Sequence, residues 1–107
     1  MGSEVNVTNA TFQKEVLESA VPVLADFWAE WCVPCRMVSP VLTKLAEEHD
    51  GKVKVAKINV DQESELAMKF NIVSIPTILL FNKGEVAKQQ IGAAPRKILE
   101  DMIKEYV

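Results

Sequence analysis

Apolar residues along this chain fall into two patterns: short, nearly continuous runs, and longer runs at three- and four-residue spacing. The clearest short run is Val23–Trp28, VLADFW, interrupted only by Asp26. It predicts a strand covered on both faces, with Pro22 at its start rather than inside it. Val53–Val60 predicts another strand, enriched in β-branched residues. Thr77–Phe81 and Glu85–Ile91 predict two more, joined by the turn Asn82–Lys83–Gly84. Val5–Val7 predicts a weak first strand or an extended arm. Helical spacing is strongest at Val38, Val41, Leu42 and Leu45, predicting a helix that runs to about His49 and stops at Asp50–Gly51. Pro40 lies inside it, leaves the Arg36 carbonyl without its helical partner and predicts a kink. Thr11 is placed to cap a short helix with Phe12, Val16 and Leu17 on its apolar face. Asp61 is placed to cap another, with Glu63 and Glu65 in its first turn and Leu66, Ala67 and Phe70 facing inward. Pro95 opens a last helix, lined on one side by Ile98, Leu99, Met102, Ile103 and Tyr106.

The order is therefore β-α-β-α-β-α-β-β-α. Alternating strands and helices predict an α/β fold with a parallel portion and helices on both faces. The short turn at Asn82 adds an antiparallel pair at one end. The 107 residues suit a single domain, and no repeat, linker or low-complexity segment interrupts them.

Composition narrows the function classes. Hydrophobic residues make up 49% and charged residues 25%, the mixture of a folded globular chain. The net charge is −3 and Lys and Arg are dispersed, so no nucleic-acid partner is expected. No apolar run approaches membrane-spanning length, so no membrane partner is expected. The opening MGSEVNVTN lacks the basic start and apolar stretch of a secretory signal. Met1–Gly2–Ser3 matches only the beginning of a myristoylation pattern. The two cysteines sit three positions apart and cannot staple distant segments. A cytoplasmic location is expected.

Chemistry concentrates at Trp31-Cys32-Val33-Pro34-Cys35, which follows the best strand and opens the best helix. Cys32 falls near the helix N-cap, where unpaired amides and the aligned peptide dipoles favour a thiolate. It is the expected nucleophile. Cys35 lies one turn further on, less exposed, placed to attack a mixed disulfide formed on Cys32. Pro34 stiffens the link without removing a helical hydrogen bond, because first-turn amides have no helical acceptor. A structural zinc would need about four ligands. The chain offers two Cys and one His, and His49 lies at the far end of the same helix. No metal site is expected within the chain.

Asp26 is a carboxyl group in an otherwise apolar strand, where burial is costly unless it is paired. Lys57 occupies a comparable place in the next strand. Two readings follow: Asp26 takes and returns the proton of Cys35, directly or through water, or it is a structural partner of Lys57. No glycine-rich phosphate loop and no Ser–His–acid arrangement is evident. Gly84 and Gly92 read as turn or close-approach residues.

These segments together resemble the thioredoxin family. The resemblance rests on Ala25-Asp26-Phe27-Trp28-Ala29, Trp31-Cys32-x-Pro34-Cys35, Met37-Val38-x-Pro40, Lys57-x-Asn59-x-Asp61, Ile75-Pro76-Thr77 and Gly92-Ala93, in family order over nearly the whole chain. It implies a thioredoxin fold, with a central five-stranded mixed sheet of order 1-3-2-4-5 flanked by four helices. It implies a cis Pro76 packed beside the cysteine pair. It implies a substrate surface made of Trp31, Val33, Ile75, Pro76, Gly92 and Ala93, on which an extended segment pairs with the backbone at Ile75. The implied activity is protein-disulfide reduction in cell redox homeostasis. No bound cofactor is implied. Disulfide-containing proteins would be the substrates, and an NADPH- or ferredoxin-linked thioredoxin reductase would restore the dithiol.

The chain departs from the family pattern at Val33, where Gly is usual, so a stiff β-branched side chain stands at the rim of the nucleophile. Arg36 replaces a common Lys. Asn71 replaces a frequent Gly, and Asn is the next best residue if positive φ is needed there. Glu30 and Arg36 flank the motif and would tune docking more than chemistry. The competing functions are a disulfide oxidase or isomerase of the same fold and an interaction subunit that uses the same surface. A monomer is expected, with a weak dimer through the Trp31 surface as the variant.

Overall fold

Strand 2 organises the molecule. In the computed structural model, which describes residues 4–107, β2 (Val23–Trp28) lies at the centre of a five-stranded sheet. Its neighbour β3 (Lys54–Asn59) runs parallel to it, and β4 (Thr77–Asn82) runs antiparallel on the other side. The short β1 (Glu4–Asn6) adds parallel to β3, and β5 (Glu85–Ile91) adds antiparallel to β4. The strand order is β1-β3-β2-β4-β5, as the resemblance implied. The myristoylation reading falls on Met1–Gly2–Ser3, outside the described residues.

Alternation along β2 assigns its side chains to two cores. Leu24 packs with Val38, Leu42, Leu45, Val55, Ile78, Leu80 and Leu99, under α1 (Val33–Glu48) and α3 (Arg96–Ile103). Val23, Ala25 and Phe27 pack on the opposite face with Phe12, Val16, Ile58, Leu66, Leu79 and Phe81. That face is covered by a five-residue π-helix (Gln13–Leu17) and by α2 (Ser64–Lys69). Phe70 meets Phe12 and Phe81 there at ring-centroid distances of 5.4 Å each. The same alternation puts Asp26 on the face of Leu24, beneath α1. The sheet thus delivers a carboxyl group to the underside of the cysteine-bearing helix.

Several local expectations change. Thr11 does not cap the first helix. Its hydroxyl accepts the Thr8 amide at 3.0 Å, and the helix then opens to a π-turn in which the Glu18 amide reaches the Gln13 carbonyl. Asp61 does not cap α2, which begins at Ser64 behind Glu63 with no side-chain cap. Asn59 Oδ1 takes that turn instead, accepting the amides of Asp61 and Gln62. Ile98 does not join the inner side of α3 and is exposed, while Leu99, Met102 and Ile103 are buried. Pro95 is the N-cap rather than the first residue of that helix. Asn71 does adopt positive φ, at 54°. Pro40 lies within α1.

Candidate active site

The polypeptide leaves β2, crosses Ala29–Trp31 and enters α1 with Cys32 as the N-cap residue. Cys32 and Cys35 are joined as a disulfide. The Cys35 amide points at Cys32 Sγ, 3.2 Å away, and the Cys32 carbonyl accepts the Arg36 amide. One first-turn amide of α1 is therefore aimed at the Cys32 sulfur, the placement expected from the motif's position before the helix. Pro34 occupies the first turn without loss of a bond. Cys32 is 4% and Cys35 2% exposed, so in the disulfide form both sulfurs are nearly covered. Around them Trp31, Val33 and Met37 are largely exposed and apolar, forming a rim above the disulfide.

The opposite wall comes from the segment between α2 and β4. The Ile75–Pro76 peptide bond is cis. Ile75 packs against the small cluster of Ala29, Cys32 and Cys35. Pro76 is buried, and its carbonyl accepts the Gly92 amide at 2.8 Å. Gly92 has φ +88°, a conformation that favours glycine. Ala93 is exposed beside it, lining a groove of about 350 Å³ with Met37, Val38 and Val41. On the other side, Trp31, Val60 and Ile72–Ile75 line a groove of about 330 Å³. Trp31, Val33, Ile75, Pro76, Gly92 and Ala93 thus all belong to loops and helix starts at one end of the sheet.

Beneath the disulfide, Asp26 and Lys57 occupy paired register positions on β2 and β3. Lys57 Nζ lies 2.8 Å from Asp26 Oδ2, with Asp26 1% and Lys57 7% exposed. Burial pushes the Asp26 carboxyl above its usual range, against the opposing pull of the Lys57 charge. A cavity of about 120 Å³, lined by Trp28, Cys35, Arg36, Ser39 and Lys57, brings the lysine of this pair and the second cysteine to one space, with Asp26 reached through Lys57. The Lys57 ammonium also lies 5.7 Å from the centroid of the Trp28 ring.

The motif reading missed two contacts. Trp31 Nε1 donates to Asp61 Oδ2 at 2.8 Å, so the carboxylate assigned to a helix cap instead steadies the aromatic rim. Lys57 Nζ donates to Ser39 Oγ at 2.6 Å. The four-residue step from Cys35 to Ser39 on one helix was the available signal for the second. Nothing in the local sequence distinguished the first. Among the described residues, no cluster of metal-binding side chains occurs, and no helix is long and apolar enough to cross a membrane.

A dithiol–disulfide pair at a helix start, beside a cis-proline on a mixed α/β sheet, defines a thiol–disulfide oxidoreductase. The family model described as Thioredoxin matches residues 3–105. The chain is 43% identical to Thioredoxin 1 of Nostoc sp. over 107 residues, covering 100% of both chains. It is 48% identical to Thioredoxin C-2 of Corynebacterium nephridii over 103 residues, covering 96% of this chain and 95% of that one. It is also 45% identical over 102 residues to the chloroplastic M-type thioredoxin of Spinacia oleracea, covering 95% of this chain and 56% of that protein. The chain belongs to the thioredoxin family. Its activity is protein-disulfide reduction in redox homeostasis.

Proposed function

We propose that Cys32 is the attacking thiol and Cys35 the resolving thiol of this reductase. The observation that carries the assignment is the position of Cys32 as N-cap, with the Cys35 amide directed at its sulfur. Once the disulfide is reduced, that amide and the helix dipole favour a thiolate on Cys32. The thiolate attacks one sulfur of a substrate disulfide. A Cys32–substrate S–S bond forms, the substrate S–S bond breaks, and the departing substrate thiolate takes up a proton. Cys35 then attacks the Cys32 sulfur, forming the Cys32–Cys35 bond and releasing the second substrate thiol. Two electrons pass to the substrate, and the chain ends in the disulfide state.

Cys35 must lose a proton for the second attack, and Asp26 is its acceptor. The carboxyl group sits under α1 with its proton affinity raised by burial, the direction needed to receive a proton near neutral pH. The cavity between Cys35 and Lys57 exceeds the volume needed for one water, which would relay the proton. Lys57 supports this role by balancing the carboxylate. Pro34 holds the spacing of the pair, and Pro76 walls the site. Trp31, Val33, Ile75, Gly92 and Ala93 receive the substrate, whose extended backbone pairs at Ile75.

The substrate partners are proteins carrying accessible disulfides, and a thioredoxin reductase, NADPH- or ferredoxin-linked, returns the two electrons without a cofactor bound to this chain. A monomer in a reducing, cytoplasmic compartment fits this cycle. The test is equilibration with a glutathione redox buffer followed by thiol alkylation. A single two-electron transition at a potential well below that of glutathione is the expected result. A strongly oxidising potential would turn the reading toward disulfide formation, and absence of exchange would leave only the interaction-subunit role.

A further inference from the structure

We propose that Ser39 is a positioning residue for proton transfer from Cys35: its hydroxyl holds the Lys57 ammonium against Asp26. This rests on the reading of Asp26 as proton acceptor. Cys35 and Ser39 stand one turn apart on α1, both lining the cavity that Lys57 also lines. Lys57 Nζ is shared between Ser39 Oγ at 2.6 Å and Asp26 Oδ2 at 2.8 Å. A buried lysine has a flexible four-carbon stem and an ammonium that must be satisfied. Ser39 supplies an uncharged acceptor that fixes the ammonium without competing for its charge.

The hold matters because Asp26 has few other partners. Among the described residues neither Asp26 carboxyl oxygen has a hydrogen-bond partner, and Oδ2 is held by the ion pair with Lys57. Its register neighbour on β4, Ile78, is apolar. From β1, the Glu4 carboxylate opposes ionisation of Asp26. Glu4 in turn accepts from Thr43 Oγ1, one further turn along α1. From α1, Cys35 and Arg36 border the cavity. Lys57 is thus the cation paired with Asp26, and a less localised ammonium leaves the carboxylate harder to form. Removing the Ser39 hydroxyl therefore moves the Asp26 titration upward.

The experiment follows the Asp26 carboxyl carbon by NMR titration in the full chain, with Ser39→Ala and Ser39→Thr variants. Alanine is at least as good a helix residue as serine, so the first variant keeps α1 intact. Single-turnover resolution of a Cys32 mixed disulfide is measured over the same pH range. For Ser39→Ala the Asp26 titration is expected to move up by about half a unit or more, on the scale of one hydrogen bond to a charged group. The rising limb of the resolution profile moves with it, giving about a threefold slower step below its midpoint. Ser39→Thr, which keeps the hydroxyl, restores both. An unmoved or downward Asp26 titration in Ser39→Ala overturns the proposal. Asp26→Asn separates the two readings. If it leaves the resolution rate and profile unchanged, Asp26 is not the acceptor and Ser39 has no part in the reaction. If it slows resolution while Ser39→Ala moves nothing, the role of Ser39 alone fails.

Discussion

Trp31 Nε1 donates a 2.8 Å hydrogen bond to Asp61 Oδ2, linking the residue before the reactive cysteine to the turn between β3 and α2. Trp31 is 67% exposed, so packing alone does little to fix its ring. The hydrogen bond sets which face of the indole a docked protein meets. Asp61→Ala removes that bond, whose net worth is about 1 kcal/mol. A loss of up to about fivefold in kcat/KM for a protein disulfide follows, carried mainly by KM. A small aromatic disulfide, which needs little of the rim, should react at the unaltered rate. Equal losses on both substrates would assign Asp61 to the chemistry rather than to docking.

The two cysteines should separate cleanly in a trapping experiment. With Cys35→Ser, Cys32 still attacks, but the resolving sulfur is missing. A mixed disulfide between the chain and its substrate protein should accumulate to near one equivalent, visible on a non-reducing gel and by intact mass. With Cys32→Ser no such adduct forms at matched pH, because Cys35 lacks the N-cap position and the helix amide directed at the Cys32 sulfur. Trapping through Cys35 instead would reverse the assigned roles.

Asp26 ties stability to pH. Its folded-state proton affinity is raised, chiefly by burial and in spite of Lys57. As pH climbs through the ordinary carboxylate range, the unfolded chain gives up this proton while the folded chain keeps it. The folded state then binds more protons, and stability falls with rising pH until Asp26 itself ionises. Below the ordinary range the group is neutral in both states and contributes no slope. The stability of Asp26→Asn minus that of the parent should therefore grow as pH rises from about 4, then level once the folded carboxyl has titrated. Denaturant unfolding at a series of pH values measures this difference. A flat difference would mean that the Lys57 charge fully cancels the effect of burial.

How much of this was legible in the sequence depends on the range of the interaction. β2, the helix after Cys35 and the order of elements follow from local periodicity, and each stands where the pattern placed it. The pairing of Asp26 with Lys57 was legible because Asp26 is the one charge in β2 and Lys57 is the lysine flanked by apolar residues inside β3; the register that sets them opposite each other came from the structure. The misreadings at Thr11 and Asp61 share one cause. Each has a side chain suited to capping, but another acceptor or donor lies closer: Thr8 for Thr11 and the Trp31 indole for Asp61. Ile98 fits the helical stripe by spacing, yet α3 turns only its Leu99–Met102–Ile103 side to the core. Ser39 is an ordinary polar helix residue until β3 places an ammonium beside it. The cis state of Ile75–Pro76 was implied by family resemblance and was not legible in spacing.

The β4–β5 turn offers a test of local conformation remote from the chemistry. Lys83 and Gly84 have φ of 54° and 82°, the two-residue pattern of a type I′ hairpin, with Asn82 and Glu85 paired across it. A Cβ on Gly84 would lie 3.3 Å from the Leu17 carbonyl oxygen, tight contact on top of a left-handed backbone. Gly84→Ala should cost about 1–2 kcal/mol from the backbone preference alone. Lys83→Asn places a residue that tolerates positive φ at the first turn position and should stabilise by about 0.5 kcal/mol. Thermal melts of the two variants check the opposite signs. This turn closes the end of the hairpin opposite Pro76 and Gly92, so disulfide-reduction rates measured well below the melting range should match the parent in both. A change in rate without a change in melting would mean that the hairpin transmits its turn geometry to the substrate surface across the register shift between Leu80 and Phe81.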